Sequence, residues 1–144
     1  MKITKLDKTS ETVIGFKEVL SVIENNRTRV RNLCNIVMTS CSLFLSSSFV
    51  VLFFLIKEPY KNITLIIAIL LLSNVMLIVA ILFTVLSAYI REPKVITTEF
   101  ALISIQTYYL HKEQKNSRVA IIFLFGGIIT FLVGLIFFAI RVVK

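Results

Sequence analysis

Residues 62–90 run for 29 positions without a charged side chain, and two further charge-free runs, 32–56 and 119–140, flank them. A bilayer core of about 30 Å is crossed by roughly 20 apolar residues at a rise of about 1.5 Å each. Each run is therefore long enough to span, and the chain reads as all-α: a three-helix transmembrane bundle with an N-terminal cytoplasmic amphipathic helix. A composition 57% hydrophobic and 17% charged agrees, because soluble domains carry more charge. Three crossings divide the 144 residues into a basic amphipathic segment, 1–32, and a membrane domain, 33–144. Within that domain the spans fall near 33–56, 63–90 and 119–140, with a loop over 91–118. No room is left for a separate catalytic domain. The first run starts too late and is too long for a cleaved secretory signal, whose apolar stretch is about 7–15 residues, so it is predicted to stay as a helix.

Basic residues set the predicted orientation. Lys2, Lys5, Lys8, Lys17, Arg27, Arg29 and Arg31 precede the first span, and Arg91, Lys94, Lys112, Lys115 and Arg118 lie between the second and third. Only Lys57, Lys61, Arg141 and Lys144 fall on the other side. By the positive-inside rule the N-terminus and the 91–118 loop are cytoplasmic, and the first loop and the C-terminus face out. The net charge of +8 is thus explained by topology and does not indicate nucleic acid. Arg27, Arg29 and Arg31 sit just before the first span, where anionic headgroups or a partner would meet them, each cation gaining about 1 kcal/mol near such a surface.

Two pieces outside the spans have apolar periodicity. Over 11–30, Val13, Phe16, Leu20, Ile23 and Val30 form a helical stripe, with Lys17, Glu18, Glu24 and Arg27 off it. Such a stripe lies on a leaflet, docks on a partner or copy, or packs back onto the bundle. Over 95–110 a short apolar stretch fits an interfacial helix or one that extends the third span, with Tyr108 and Tyr109 at headgroup level. Pro93 marks the end of the second helix.

Helices in lipid associate by close van der Waals approach, so small residues mark their contacts. Gly126, Thr130 and Gly134 step by four along the third span, and Ala80, Thr84 and Ala88 do the same along the second. The two stripes are predicted to face each other or a second subunit. On the first span Asn35, Thr39, Ser42 and Ser46 share a face. Those hydroxyls either line a pore or bond to their own helix's carbonyls. Asn74, deep in the second span, is expected to find an interhelical hydrogen bond, since an orphan amide in hydrocarbon is costly.

Chemistry-bearing clusters are missing from the sequence. Cys34 and Cys41 lie about 10 Å apart along one helix, too far to pair or to chelate one metal, and read as packed side chains. His111, the single histidine, stands in a polar run. No metal, cofactor or catalytic residue is assigned, and no ionisable group lies within a span, which argues against a proton-coupled transporter or voltage sensor. Two matches to the N-glycosylation pattern, at Asn26 and Asn62, fall in a segment predicted cytoplasmic and against the membrane.

Asn25-Asn26-Arg27-Thr28 before the first of three spans resembles the Asn-Glu-Arg-Thr start of a family of small three-span domains, with Asn26 in place of the acid and without the aromatic residues that follow it there. The layout of cytoplasmic helix, two spans, cytoplasmic loop and third span is also similar to membrane effectors of nucleotide-signalled antiphage systems. These likenesses cover four residues and a topology. The residues themselves point to a non-enzymatic membrane protein, a homo-oligomer or a subunit in a membrane complex, acting as anchor or effector through its cytoplasmic face. The alternative is a pore lined by the first span's polar face. A topology reporter fused after Lys144 is expected to read out on the outer side; a cytoplasmic signal would invert the assignment.

Overall fold

A computed structural model describes residues 4–57, 63–88 and 99–142, with side chains over 15–57, 63–88 and 102–140. Every described element is helical: α1 (Thr4–Lys57), α2 (Thr64–Ala88) and α3 (Glu99–Val142). All three are long and apolar enough to cross a membrane, compatible with a small integral membrane protein. Pro93 lies outside the described residues.

α1 is one unbroken helix of 54 residues, about 81 Å at about 1.5 Å per residue. The amphipathic segment and the first apolar run are thus a single rod, and the amphipathic part does not fold back on the bundle. α3, at 44 residues, likewise carries the 102–118 stretch and the third apolar run in one helix. α2, at 25 residues, is the short member. Arg27 meets Glu113, and further along both helices Phe44 meets Phe131, so α1 and α3 run side by side in the same direction. α2 returns between them, with Phe83 stacked on Phe123 and Leu70 approaching Gly134. Past the end of α2, α1 and α3 continue as a two-helix stalk closed by Ile23, Val30, Cys34 and Leu110, with Ile103 packed on them.

The buried positions share one period. In α2 they fall at 66, 70, 73, 77, 80, 84 and 87, with Asn74 buried beside Ser73, and in α3 at 110, 113, 117, 120, 124, 127, 131 and 134, the seam alternating steps of three and four. In α1 the buried 34, 41, 48 and 55 are seven apart, as are 23, 30 and 37. A seven-residue repeat is the spacing of a left-handed coiled bundle, which keeps one seam facing the partners along the whole length. Outside the seam the helices present large apolar side chains such as Ile36, Phe49, Leu72, Ile78, Phe125 and Ile129. Only 22%, 33% and 28% of the three apolar windows is buried within the bundle, so most of the apolar surface faces outward, as hydrocarbon surroundings require.

α2 and α3 form the most extensive of the three interfaces. A Cβ added at Gly127 would stand 2.8 Å from Leu77 Cδ2 and 2.9 Å from its Cγ, and one at Gly134 would stand 3.0 Å from Leu70 Cδ2. Leu70 and Leu77 are fully buried, so neither has space to withdraw. Each glycine is a notch that seats a leucine of the opposite helix. Gly127→Leu is expected to lower stability by about 1–3 kcal/mol, the range for overpacking a filled core. Gly15→Leu, where nothing lies within 4 Å, serves as the control. Thermal unfolding in detergent distinguishes them; equal melting of both variants would remove the notch from the fold's requirements.

Candidate functional site

The polar chemistry of the bundle converges where α2 ends. Nε and Nη2 of Arg27 donate to one carboxylate oxygen of Glu113, Oε1, at 3.2 and 2.9 Å. The Ser87 hydroxyl, in the last turn of α2, donates to the Glu113 backbone carbonyl at 3.0 Å. Three helices are thereby joined at one residue. Glu113 is 5% exposed, the one buried acid among the described residues, and its other oxygen, Oε2, has no hydrogen-bond partner. Ser117 Oγ, one turn along, is buried and also without a partner.

These residues meet because the seam period continues past the charge-free runs. Seven-residue steps back from Gly134 through Gly127 and Ala120 reach Glu113; the same steps back from Leu55 through Ser48, Cys41 and Cys34 reach Arg27. Arg27 thus turns into the bundle, while Arg29 and Arg31, predicted as equivalent members of a cluster, are exposed. Two clefts open beside the junction. One, of about 300 Å³, lies between α1 and α2 and includes Arg31, Asn35, Ser87, Ala88 and Glu113 in its wall. The other, of about 310 Å³, lies along the stalk and includes Glu24, Arg27, Thr28, Arg31 and Gln106.

The remaining sequence-predicted residues are placed as follows. Gly134 and Gly127 are buried against α2, and Gly126 and Thr130 lie half-buried beside Met76. The side chains nearest the glycines are Ile69, Leu70, Met76 and Leu77, so the small stripe on α3 receives large residues. Ala80 belongs instead to the cluster of Val37, Cys41, Ala120 and Leu124 nearer the basic end; Thr84 is buried and bonded to the Ala80 carbonyl, and Ala88 is exposed. Small residues of the two helices are therefore staggered along the interface, because a notch is filled by a knob.

Asn35, Thr39, Ser42 and Ser46 are all exposed on the outside of the bundle. The Thr39, Ser42 and Ser46 hydroxyls donate to carbonyls one turn earlier, at 2.9, 3.0 and 2.8 Å. Within one chain that face lines no channel. Asn74 is buried and its Oδ1 has no partner, while the adjacent Ser73 makes the interhelical bond, donating to the Gly127 carbonyl at 2.7 Å. The missing side chain at Gly127 exposes that carbonyl to α2. Sequence reasoning missed Glu113, Ser87 and Ser73; the signal for all three was the seven-residue step, which had to be followed into a polar segment to find Glu113.

No protein-family model matches the chain, and no curated protein or solved structure matches it at a significant level. The site must therefore speak through its chemistry. Among the described residues no three His, Cys, Asp or Glu side chains gather as a metal centre would need, and His111 is exposed.

Removing one member of a buried ion pair strands the other, at a cost of about 3–5 kcal/mol, whereas replacing both by apolar residues is often neutral. Arg27 keeps 17% of its side chain exposed and Glu113 6%, so the stranded carboxylate is the costlier loss. Arg27→Met is accordingly expected to destabilise by about 3 kcal/mol, and adding Glu113→Met to restore most of it. A double-mutant cycle of unfolding free energies checks this; additive effects would mean that the pair is not coupled.

Proposed function

We propose that this chain is a small non-enzymatic integral membrane protein that works as an oligomer or a subunit of a membrane complex, receiving or passing on a signal through its basic, cytoplasmic face. The observation that carries this reading is the stalk. α1 and α3 leave the bundle past the end of α2 with no break, so a displacement imposed on the stalk is carried along two rigid helices into the apolar core. Helix 3.6-residue geometry makes such rods stiff over this length, whereas a loop between stalk and span would absorb the motion.

The surface of the stalk supports a partner. Val22 is 58% exposed and Val19 44%, one turn apart on α1, and Tyr108 is exposed on α3. These apolar groups lie outside the charge-free runs, and an apolar cluster beyond the hydrocarbon favours a covering surface. The excess of Lys and Arg on this end supports its cytoplasmic assignment. At the opposite end, among the described residues, the Lys57 ammonium rests 4.4 Å over the Phe53 ring.

Deletion of residues 1–24 tests the reading. It removes Ile23 from the stalk but leaves Val30, Cys34 and the Arg27–Glu113 pair, and the apolar runs drive insertion by themselves. The truncated chain is expected to insert normally, while a photo-crosslinker placed at Tyr108 ceases to trap a copy or partner that the full chain traps. Identical crosslinking by both forms would rule out the stalk as the contact. Ion flux through liposomes holding the full chain, blocked by Ser42→Leu or Ser46→Leu, would replace this reading by a pore built from the outward α1 faces of several copies.

A further inference from the structure

We propose that the cleft between α1 and α2 at the basic end binds a phosphoethanolamine-type headgroup, its primary ammonium on Glu113 and its phosphate on Arg31. The proposal rests on the helices crossing a membrane and not on the signalling role of the stalk.

Three observations meet at this cleft. The first is an orphan acceptor: Oε2 of Glu113 is buried without a hydrogen bond, the two Arg27 bonds to this carboxylate both falling on Oε1. An ionised carboxylate accepts several hydrogen bonds, and a buried oxygen left without any incurs its full desolvation penalty. A ligand that brings N–H donors removes that penalty. The second is the mixed charge of the wall, since Arg31 lines the same cleft and is exposed at its outer side. A simple anion meets Glu113 there, and a simple metal cation meets Arg31 and the guanidinium of Arg27 while finding only one carboxylate. A zwitterion satisfies both signs, with its ammonium inward and its anionic group outward.

Depth supplies the third. α1 becomes charge-free at Asn32 and α2 remains so until Ile90, so a cleft walled by Arg31, Asn35, Ser87 and Ala88 straddles the boundary between headgroups and hydrocarbon. Leu33, Ile36, Leu82 and Leu86 are exposed on the two helices just below it, a surface for acyl chains. At about 300 Å³ the cleft has the volume of a small ligand site. The Ser87 hydroxyl donates to the Glu113 carbonyl and keeps lone pairs that accept, and Asn35 lines the same wall, so the cleft offers neutral acceptors beside the carboxylate for the remaining ammonium protons. A quaternary choline carries no N–H and forfeits those bonds, which predicts selectivity among zwitterionic lipids.

Native mass spectrometry of the full chain in mild detergent tests the site, titrating phosphatidylethanolamine, phosphatidylcholine and phosphatidylglycerol of identical acyl chains. Phosphatidylethanolamine is expected to bind about tenfold more tightly than either of the others, the contribution of about one charge-assisted hydrogen bond. Ala88→Phe, which fills the cleft without touching the Arg27–Glu113 pair, is expected to abolish the preference while leaving the melting temperature unchanged. Arg31→Gln, at an exposed side chain, should weaken the binding of both phosphatidylethanolamine and free O-phosphoethanolamine. If the free compound binds the full chain in phosphatidylcholine discs and is lost in Ala88→Phe, the headgroup chemistry stands and its source includes the soluble compound. Equal affinity for the three lipids, a preference for phosphatidylglycerol, or a phosphatidylethanolamine preference that survives both substitutions would overturn the proposal.

Discussion

A seam that repeats every seven residues governs this bundle. In hydrocarbon, apolar side chains gain nothing by leaving lipid for one another, so helices associate only where their surfaces fit closely enough for dispersion contacts to win. The seam supplies that fit. It brings Leu70 and Leu77 of α2 into the notches at Gly134 and Gly127 of α3 and sets Phe44 edge-on against Phe131 at 5.7 Å. Because the period is 3.5 rather than 3.6, the same faces stay together as the helices leave the apolar region. The stalk is therefore an extension of the membrane bundle by the same packing rule, with Ile23, Val30 and Leu110 in place of leucine and glycine.

Following that rule into a polar environment places the ion pair. Arg27 and Glu113 occupy seam positions of α1 and α3 where an apolar pair would serve packing equally well, and a buried pair contributes little net stability against its apolar equivalent. What the pair supplies is geometry. Two donors of one guanidinium converge on one carboxylate oxygen, and Ser87 fixes the backbone of the same residue from the third helix.

The sequence made the three apolar helices legible through charge alone, since 22 to 29 uncharged residues have few other fates than a membrane or a large buried core. It also showed that Gly134 belongs to a contact, because a small-residue stripe has a mechanical meaning in lipid. The ion pair was hidden by its neighbours: Glu113 stands in His111-Lys112-Glu113-Gln114-Lys115, where an acid reads as solvated, and burial there follows from a helix running on from the span. The matching of the two small stripes misled for a related reason. A glycine records that something comes close but not what, and here leucines do. The hydroxyl face of α1 was recognisable as a face, yet its direction depends on which of α1's sides meets α2 and α3, a choice made by Val37, Cys41 and Ser48.

The repeat that builds the bundle also threatens it. Sliding α2 along α3 by seven residues would seat Leu70 in the notch at Gly127 and leave the apolar seam nearly as well filled, a displacement of about 10 Å at about 1.5 Å per residue. Coiled assemblies with uniform apolar seams suffer from such alternative registers, and single buried polar contacts are the best-attested device for excluding them. Among the described residues two fully buried hydroxyl bonds join α2 and α3. The Ser73 hydroxyl reaches the Gly127 carbonyl, and the Ser87 hydroxyl reaches that of Glu113. After that seven-residue slip Ile66 would stand where Ser73 does, and the carbonyl of Gly127 would lose its donor. The Arg27–Glu113 pair does the same work between α1 and α3. Apolar packing thus decides that three helices associate, and a few serines and one ion pair decide how far along one another they lie.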